Sequence, residues 1–183
     1  MELIKINSIQ NILKIFILIF LGTMALTISS KFRIPFYPVP MTMQTFVVLF
    51  LGIAFGYKIG LATVSVYLLE GIVGIPVFSG SPENGIGLAY FTGPTMGYLI
   101  GFLIAVFFAG RFNYDNNLIK NFLKLAFATS FIYILGMIWL GGLIGWDKPI
   151  FKLGAQPFLL AELFKILLAT FAIHQIKKIK KLT

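Results

Sequence analysis

The chain contains no cysteine, so a disulfide framework and a thiolate metal site are both excluded. Charge is also scarce. Only 11% of its 183 residues are Asp, Glu, Lys or Arg, against about 25% in a soluble domain. There is one histidine, His174, and no GxSxG, HExxH or paired-carboxylate pattern accompanies it. An intramembrane enzyme therefore lacks candidate catalytic residues, and none is assigned. No GxxxxGK[ST] occurs, which excludes a P-loop nucleotide site. No cofactor or metal is expected.

What is present in excess is apolar. Hydrophobic residues make up 58% of the chain and the mean hydropathy is +0.94. An all-α integral membrane protein is expected, as one domain of six transmembrane helices at roughly 20 residues each. The expected helices span about 12–30, 46–55, 59–73, 95–110, 125–143 and 157–174. The net charge of +9 does not imply nucleic-acid binding, because the Lys and Arg residues cluster at segment ends. Lys5 and Lys14 precede an apolar run without a small-residue cleavage site, so that run is expected to be a retained helix.

Charge distribution orients the bundle. One side carries Lys5, Lys14, Lys58, Arg111, Lys120, Lys124, Lys177, Lys178, Lys180 and Lys181. The other carries only Lys31, Arg33, Lys148 and Lys152. The positive-inside rule then places both termini in the cytoplasm. The tail from Lys177 to Lys181 reads as a topology anchor that also contacts anionic lipid.

Two connections stand out on the opposite, outward side. The first, Lys31 to Thr45, holds Pro35, Pro38 and Pro40, which forbid a regular helix and favour extended backbone. It is nevertheless rich in Phe36, Tyr37, Val39 and Met41, as a stiff lid against the bundle would be. The second, Gly74 to Pro94, carries Gly74, Gly80, Gly85, Gly87 and Gly93. Such irregular backbone at membrane depth is tolerated where it is buried or lines a cavity. Elsewhere, glycines mark close-packing faces: Gly52, Gly56 and Gly60 around a tight turn, and Gly93, Gly97 and Gly101 along the fourth segment.

The last hydrophobic segment contains Glu162 and Lys165, spaced i, i+3 and so on one helix face. An ionised group at membrane depth costs several kcal/mol, so the pair is expected to serve a ligand, with a structural ion pair between helices as the alternative. The pair lies about 8 Å and about 12 Å below the segment's start at Pro157, as the floor of a small-molecule pocket walled by the two loops. Tyr37, Met41 and Gln44 from the first loop are expected to line it. So are Phe78, Asn84, Gly85, Gly87 and Tyr90 from the second, and Trp139 of the fifth segment. Gly22, Ala25 and Ser29 form a small-residue face on the first segment, for close packing either inside the bundle or against a partner subunit.

Four stretches together, Ile34 to Thr45, Gly74 to Gly80, Gly93 to Phe102, and Pro157 to Lys165, resemble the BioY biotin transporters. These are the substrate-binding S components of energy-coupling factor (ECF) transporters. The resemblance implies six helices, a biotin site near the outer face, the plasma membrane, and three partners: a transmembrane coupling subunit and two ATPase subunits. By analogy with other S components it also implies that the Gly22, Ala25 and Ser29 face docks the coupling subunit. An S component for another vitamin, and a solitary transporter without a dedicated ATPase, are the alternatives. A packing-only scaffold is a further reading from the glycine faces alone. The chain departs from the family pattern at Ala161-Glu162, where Gly-Asp is usual, and at Met96, where glycine is common. Glu162 would accept from biotin's ureido N–H groups, and Lys165 would donate to the ureido carbonyl or to the tail carboxylate.

Overall fold

The structure, a computed structural model, describes residues 2–83 and 85–182, with side chains for 9–83 and 85–176. Seven α-helices and one two-stranded ladder are present among the described residues. Helix α1 is Glu2–Lys31. The first loop contains β1, Arg33–Ile34, and β2, Met41–Thr42, paired antiparallel with Arg33 opposite Thr42. Helix α2 is Gln44–Ile72, α3 Leu88–Phe91, α4 Met96–Arg111 and α5 Leu118–Ile144. Helix α6 is Ile150–Gly154, and a single 3₁₀ turn, Gln156–Phe158, leads into α7, Leu159–Leu182.

Helix α2 is not one rod. Gly56 adopts φ 78°, ψ 171°, a conformation open only to glycine. The chain reverses there. Gln44 and Tyr67 share a hydrogen bond at 2.7 Å, although a straight helix would separate them by about 34 Å. Residues 44–55 and 57–72 are thus antiparallel arms, standing where the sequence suggested separate second and third helices. Each arm is shorter than the roughly 20 residues of a full crossing. A Cβ at Gly56 meets nothing within 4 Å, so its cost is purely conformational. Gly56→Ala is expected to destabilise by about 1–3 kcal/mol, read as a thermal-unfolding shift in detergent.

Apolar side chains cover the outside of this bundle. Phe16, Phe20, Met24 and Ile28 on α1, and Leu160, Phe164, Leu168 and Phe171 on α7, are all exposed. A surface of this kind is stable in lipid, not in water. Together with four helices long and apolar enough to cross a bilayer, it makes this a multi-pass membrane protein.

Glycines set the helix spacing. Gly97 and Gly101 of α4 lie against the α5 backbone at Leu135 and Ile132. Gly52 packs on Ala109 and Gly110 of α4. Gly22 of α1 lies against Thr63 and Leu51 of α2, and Ser29 is buried with its hydroxyl donating to Leu26 O. Of the small-residue face expected to dock a partner, Gly22 is therefore covered by α2, Ser29 is buried, and Ala25 is half-buried.

The start of the fifth helix and the content of two connections differ from expectation. Helix α5 starts at Leu118 because Asn117 caps it, its Oδ1 accepting from Lys120 N at 3.0 Å. The connection 145–156 contains α6, and the second loop contains α3.

Candidate functional site

Helix α7 places Glu162 and Lys165 side by side, 4% and 5% exposed, with Nζ 3.0 Å from Oε2. Glu162 lies in the first turn, where the helix dipole favours a carboxylate. The lysine ammonium also donates to Thr42 O at 2.8 Å and Thr45 Oγ1 at 3.0 Å. An ammonium has three hydrogens, and all three are engaged. Glu162 Oε2 further accepts from Thr45 Oγ1 at 3.1 Å and Tyr133 OH at 2.8 Å. The network joins α7, α5, the start of α2 and the end of the first loop. Its other carboxylate oxygen, Oε1, is buried without a partner among the described residues. A buried acceptor left open costs about 1–3 kcal/mol, so an orphan of this kind calls for a donor, from water or from a ligand.

Next to this network is a cavity of about 60 Å³. Val39 to Thr42 of the first loop wall one side, with Gln44 and Thr45 of α2. Ser79, Tyr90 and Thr95 come from the second loop, Tyr98, Leu99 and Phe102 from α4, and Ile132 and Tyr133 from α5. Phe158 and Lys165 complete it. The lining is mostly apolar with a few placed polar groups, as small-molecule sites are.

The wall is held from behind. Tyr98 OH donates to Gly154 O at 2.8 Å, and Tyr90 OH to Ser79 O at 2.7 Å. Burial pushes the Tyr90 phenol above its usual pKa, so it stays a donor. Phe78 stacks on Tyr90 with centroids 4.8 Å apart and fills the space left by Gly71. At the C-terminus of α1, Lys31 Nζ donates to the carbonyls of Pro76, Phe78 and Ser81. Ser30 Oγ donates to Val77 O. The second loop is thereby fixed over the cavity although it has little regular structure.

A protein-family model described as the BioY family matches residues 4–181. The chain belongs to the BioY family. A family relative named "Probable biotin transporter BioY", from Pyrococcus horikoshii, is 34% identical over 139 residues, covering 76% of this chain and 81% of its own. The Thermotoga maritima protein named "Biotin transporter BioY" is 30% identical over 159 residues, covering 86% and 92%. A crystal structure described as the S-component for biotin from an ECF-type ABC transporter superposes with a TM-score of 0.78. At 24% identity it covers 92% of this chain and 93% of its own, and it shares this BioY-family fold.

The structure separates the residues expected from sequence. Lys165, Tyr90, Met41 and Gln44 line the cavity, and Glu162 sits in the network beside it. Phe78 stands behind the wall as packing. Tyr37 is 92% exposed and lines a separate surface hollow with Arg33, Phe36 and Pro94. Pro40, Tyr90 and Thr95 belong to both hollow and cavity, so Tyr37 stands at an outer vestibule. Gly85 and Gly87 shape the turn before α3, with φ 97° and 64°, and do not line the cavity. The Gly85 N–H is taken by Pro82 O. Trp139 donates to Gly93 O and faces a surface groove between α4 and α5. Asn84 lies outside the described residues.

Sequence reasoning missed Thr45, Ser79, Thr95, Tyr98 and Tyr133. Replacement of Tyr133 by Phe keeps the ring and removes one donor from Glu162. It is expected to weaken ligand binding about tenfold, by the roughly 1.5 kcal/mol of a hydrogen bond to a charged group, measured by titration calorimetry.

Proposed function

We propose that this chain captures biotin for uptake, as the S component of an ECF-type transporter. The observation that carries this reading is the buried Glu162–Lys165 network, with one open carboxylate oxygen, beside a cavity under two structured loops. Biotin's ureido ring offers N–H donors for such a carboxylate, and its thioether ring suits the apolar lining. The names of the Pyrococcus horikoshii and Thermotoga maritima relatives support the same ligand.

The volume of about 60 Å³ is room for a few waters. Drug-sized ligands occupy about 300 Å³ or more. Biotin therefore enters with an outward movement of the loop walls, of which Val39–Thr42 and Ser79 lie outside the helices. The Glu162–Lys165 end faces outward and both termini lie in the cytoplasm of a plasma-membrane protein, a reading supported by the Lys and Arg asymmetry. Energy is supplied by partners, a transmembrane coupling subunit and two ATPase subunits, and the protein itself catalyses no reaction. With Gly22 packed on α2 and Ser29 buried, Ala25 is the member of that face still open to a coupling subunit.

Thermal-shift screening of the purified protein against biotin, riboflavin, thiamine and folate tests the ligand. Stabilisation by biotin alone is expected, since a ligand stabilises only the state it binds. Stabilisation by another vitamin and not biotin would overturn the assignment while keeping the transporter reading.

A further inference from the structure

Among the hydroxyl and ammonium groups on the cavity wall, nearly all donors are already engaged. Thr42 Oγ1 donates to Gln44 Oε1, Thr45 Oγ1 and Tyr133 OH to Glu162, Tyr90 OH to Ser79 O, and Tyr98 OH to Gly154 O. Lys165 has spent its three hydrogens. Thr95 is only half-buried. Ser79 differs. It is 4% exposed, it lines the cavity, and its Oγ has no partner among the described residues. Its backbone cannot drift away to find one, because its carbonyl is held by Tyr90 and its neighbour Phe78 is locked between Tyr67 and Tyr90.

Two buried side-chain atoms are therefore left open among the described residues, Ser79 Oγ on the cavity wall and Glu162 Oε1 in the network beside it. The carboxylate oxygen can only accept, and the hydroxyl can donate. Three of the groups around the carboxylate, Thr45, Tyr133 and Lys165, line the same cavity as Ser79. A ligand that satisfies both atoms needs an N–H and a carbonyl oxygen close together. A cyclic urea carries both on one ring. Resting on the biotin reading above, we propose that Ser79 is a ligand-contacting specificity residue. Its hydroxyl donates to the urea carbonyl, while Glu162 Oε1 accepts from a urea N–H. Lys165, with no free hydrogen, orders Thr42 and Thr45 instead of donating to that carbonyl.

The test is calorimetric titration of the full-length protein with biotin and with its thiourea analogue, in which sulfur replaces the ureido oxygen and accepts poorly. Ser79→Ala is expected to weaken biotin about tenfold and the thiourea analogue less than twofold, because the analogue has already lost the bond. Ser79→Cys, which keeps the volume, is expected to act in the same direction. Thermal unfolding of the ligand-free variants controls for folding. Unchanged biotin affinity in both variants overturns the proposal while leaving biotin binding intact. So does an equal loss for both ligands, which would mean that the hydroxyl supports the loop. Failure of the unmodified protein to bind biotin removes the functional reading itself, and this inference with it.

Discussion

Lys165→Met is expected to destabilise the protein by about 3–5 kcal/mol and to abolish biotin binding, while Glu162→Met/Lys165→Met recovers most of the stability and none of the binding. Removing the lysine alone leaves the Glu162 carboxylate buried with no counter-ion, and breaking a buried pair from one side costs about that much. It also frees Thr42 O and Thr45 Oγ1, which then lose their strongest donor. Removing both charges takes away the uncompensated ion, and apolar replacement of a buried pair is often neutral. The Met side chains are flexible enough to fill the vacated space. Binding stays lost in both variants because the one buried carboxylate among the described residues, or the group that orders it, is gone. Thermal unfolding in detergent and calorimetric titration read the two quantities separately. If the double variant stays as unstable as the single one, the pair holds the fold together and is not kept for a ligand.

The second large effect lies at the α4–α5 contact. A Cβ at Gly97 would run into Leu135 O and Trp139 Cβ and come within 3.0 Å of the Gly136 Cα. Backbone of a neighbouring helix cannot rotate aside as a flexible side chain does. Gly97→Val must therefore push α4 off α5, at a cost of about 3 kcal/mol, or a fall of roughly 6–12 °C in Tm. Binding should fall further than stability does. Helix α4 carries Tyr98, Leu99 and Phe102 and α5 carries Ile132 and Tyr133, so the shift separates two walls of the cavity. Gly142 gives the control: a Cβ there meets nothing within 4 Å, and Gly142→Val is expected to leave both binding and Tm unchanged.

The sequence told most about features that break a pattern. Glu162 and Lys165 stood out because charge is costly in lipid, and the prolines of the first loop because they cannot continue a helix. Hydroxyls gave no such signal. Thr63, Thr129 and Thr170 lie in apolar helices and spend their hydroxyls on the carbonyl four residues back. Thr45 looks the same in sequence. As the second residue of α2 it has no helical carbonyl four residues behind it, so its hydroxyl reaches across to Glu162. Tyr133 and Trp139 were equally eligible as pocket aromatics. They are six residues apart, about 240° around the helix, and only one of them can face the cavity. Ala25 and Ser29, with Gly22 nearby, match a docking motif, but small residues admit any close helix, and at Gly22 it is the protein's own α2. The hairpin at Gly56 was legible as a tight turn, while the cross-arm bond from Gln44 to Tyr67 needed coordinates.

The central claim is that the cavity beside Glu162 and Lys165 is a biotin site. Titration of biotin into the purified protein, repeated with Leu99→Trp to fill the cavity, tests it most directly. Saturable one-to-one binding, lost when the indole occupies the cavity without loss of folding, is the predicted result. Undiminished binding by the filled variant, or no binding by the unmodified chain, would contradict it.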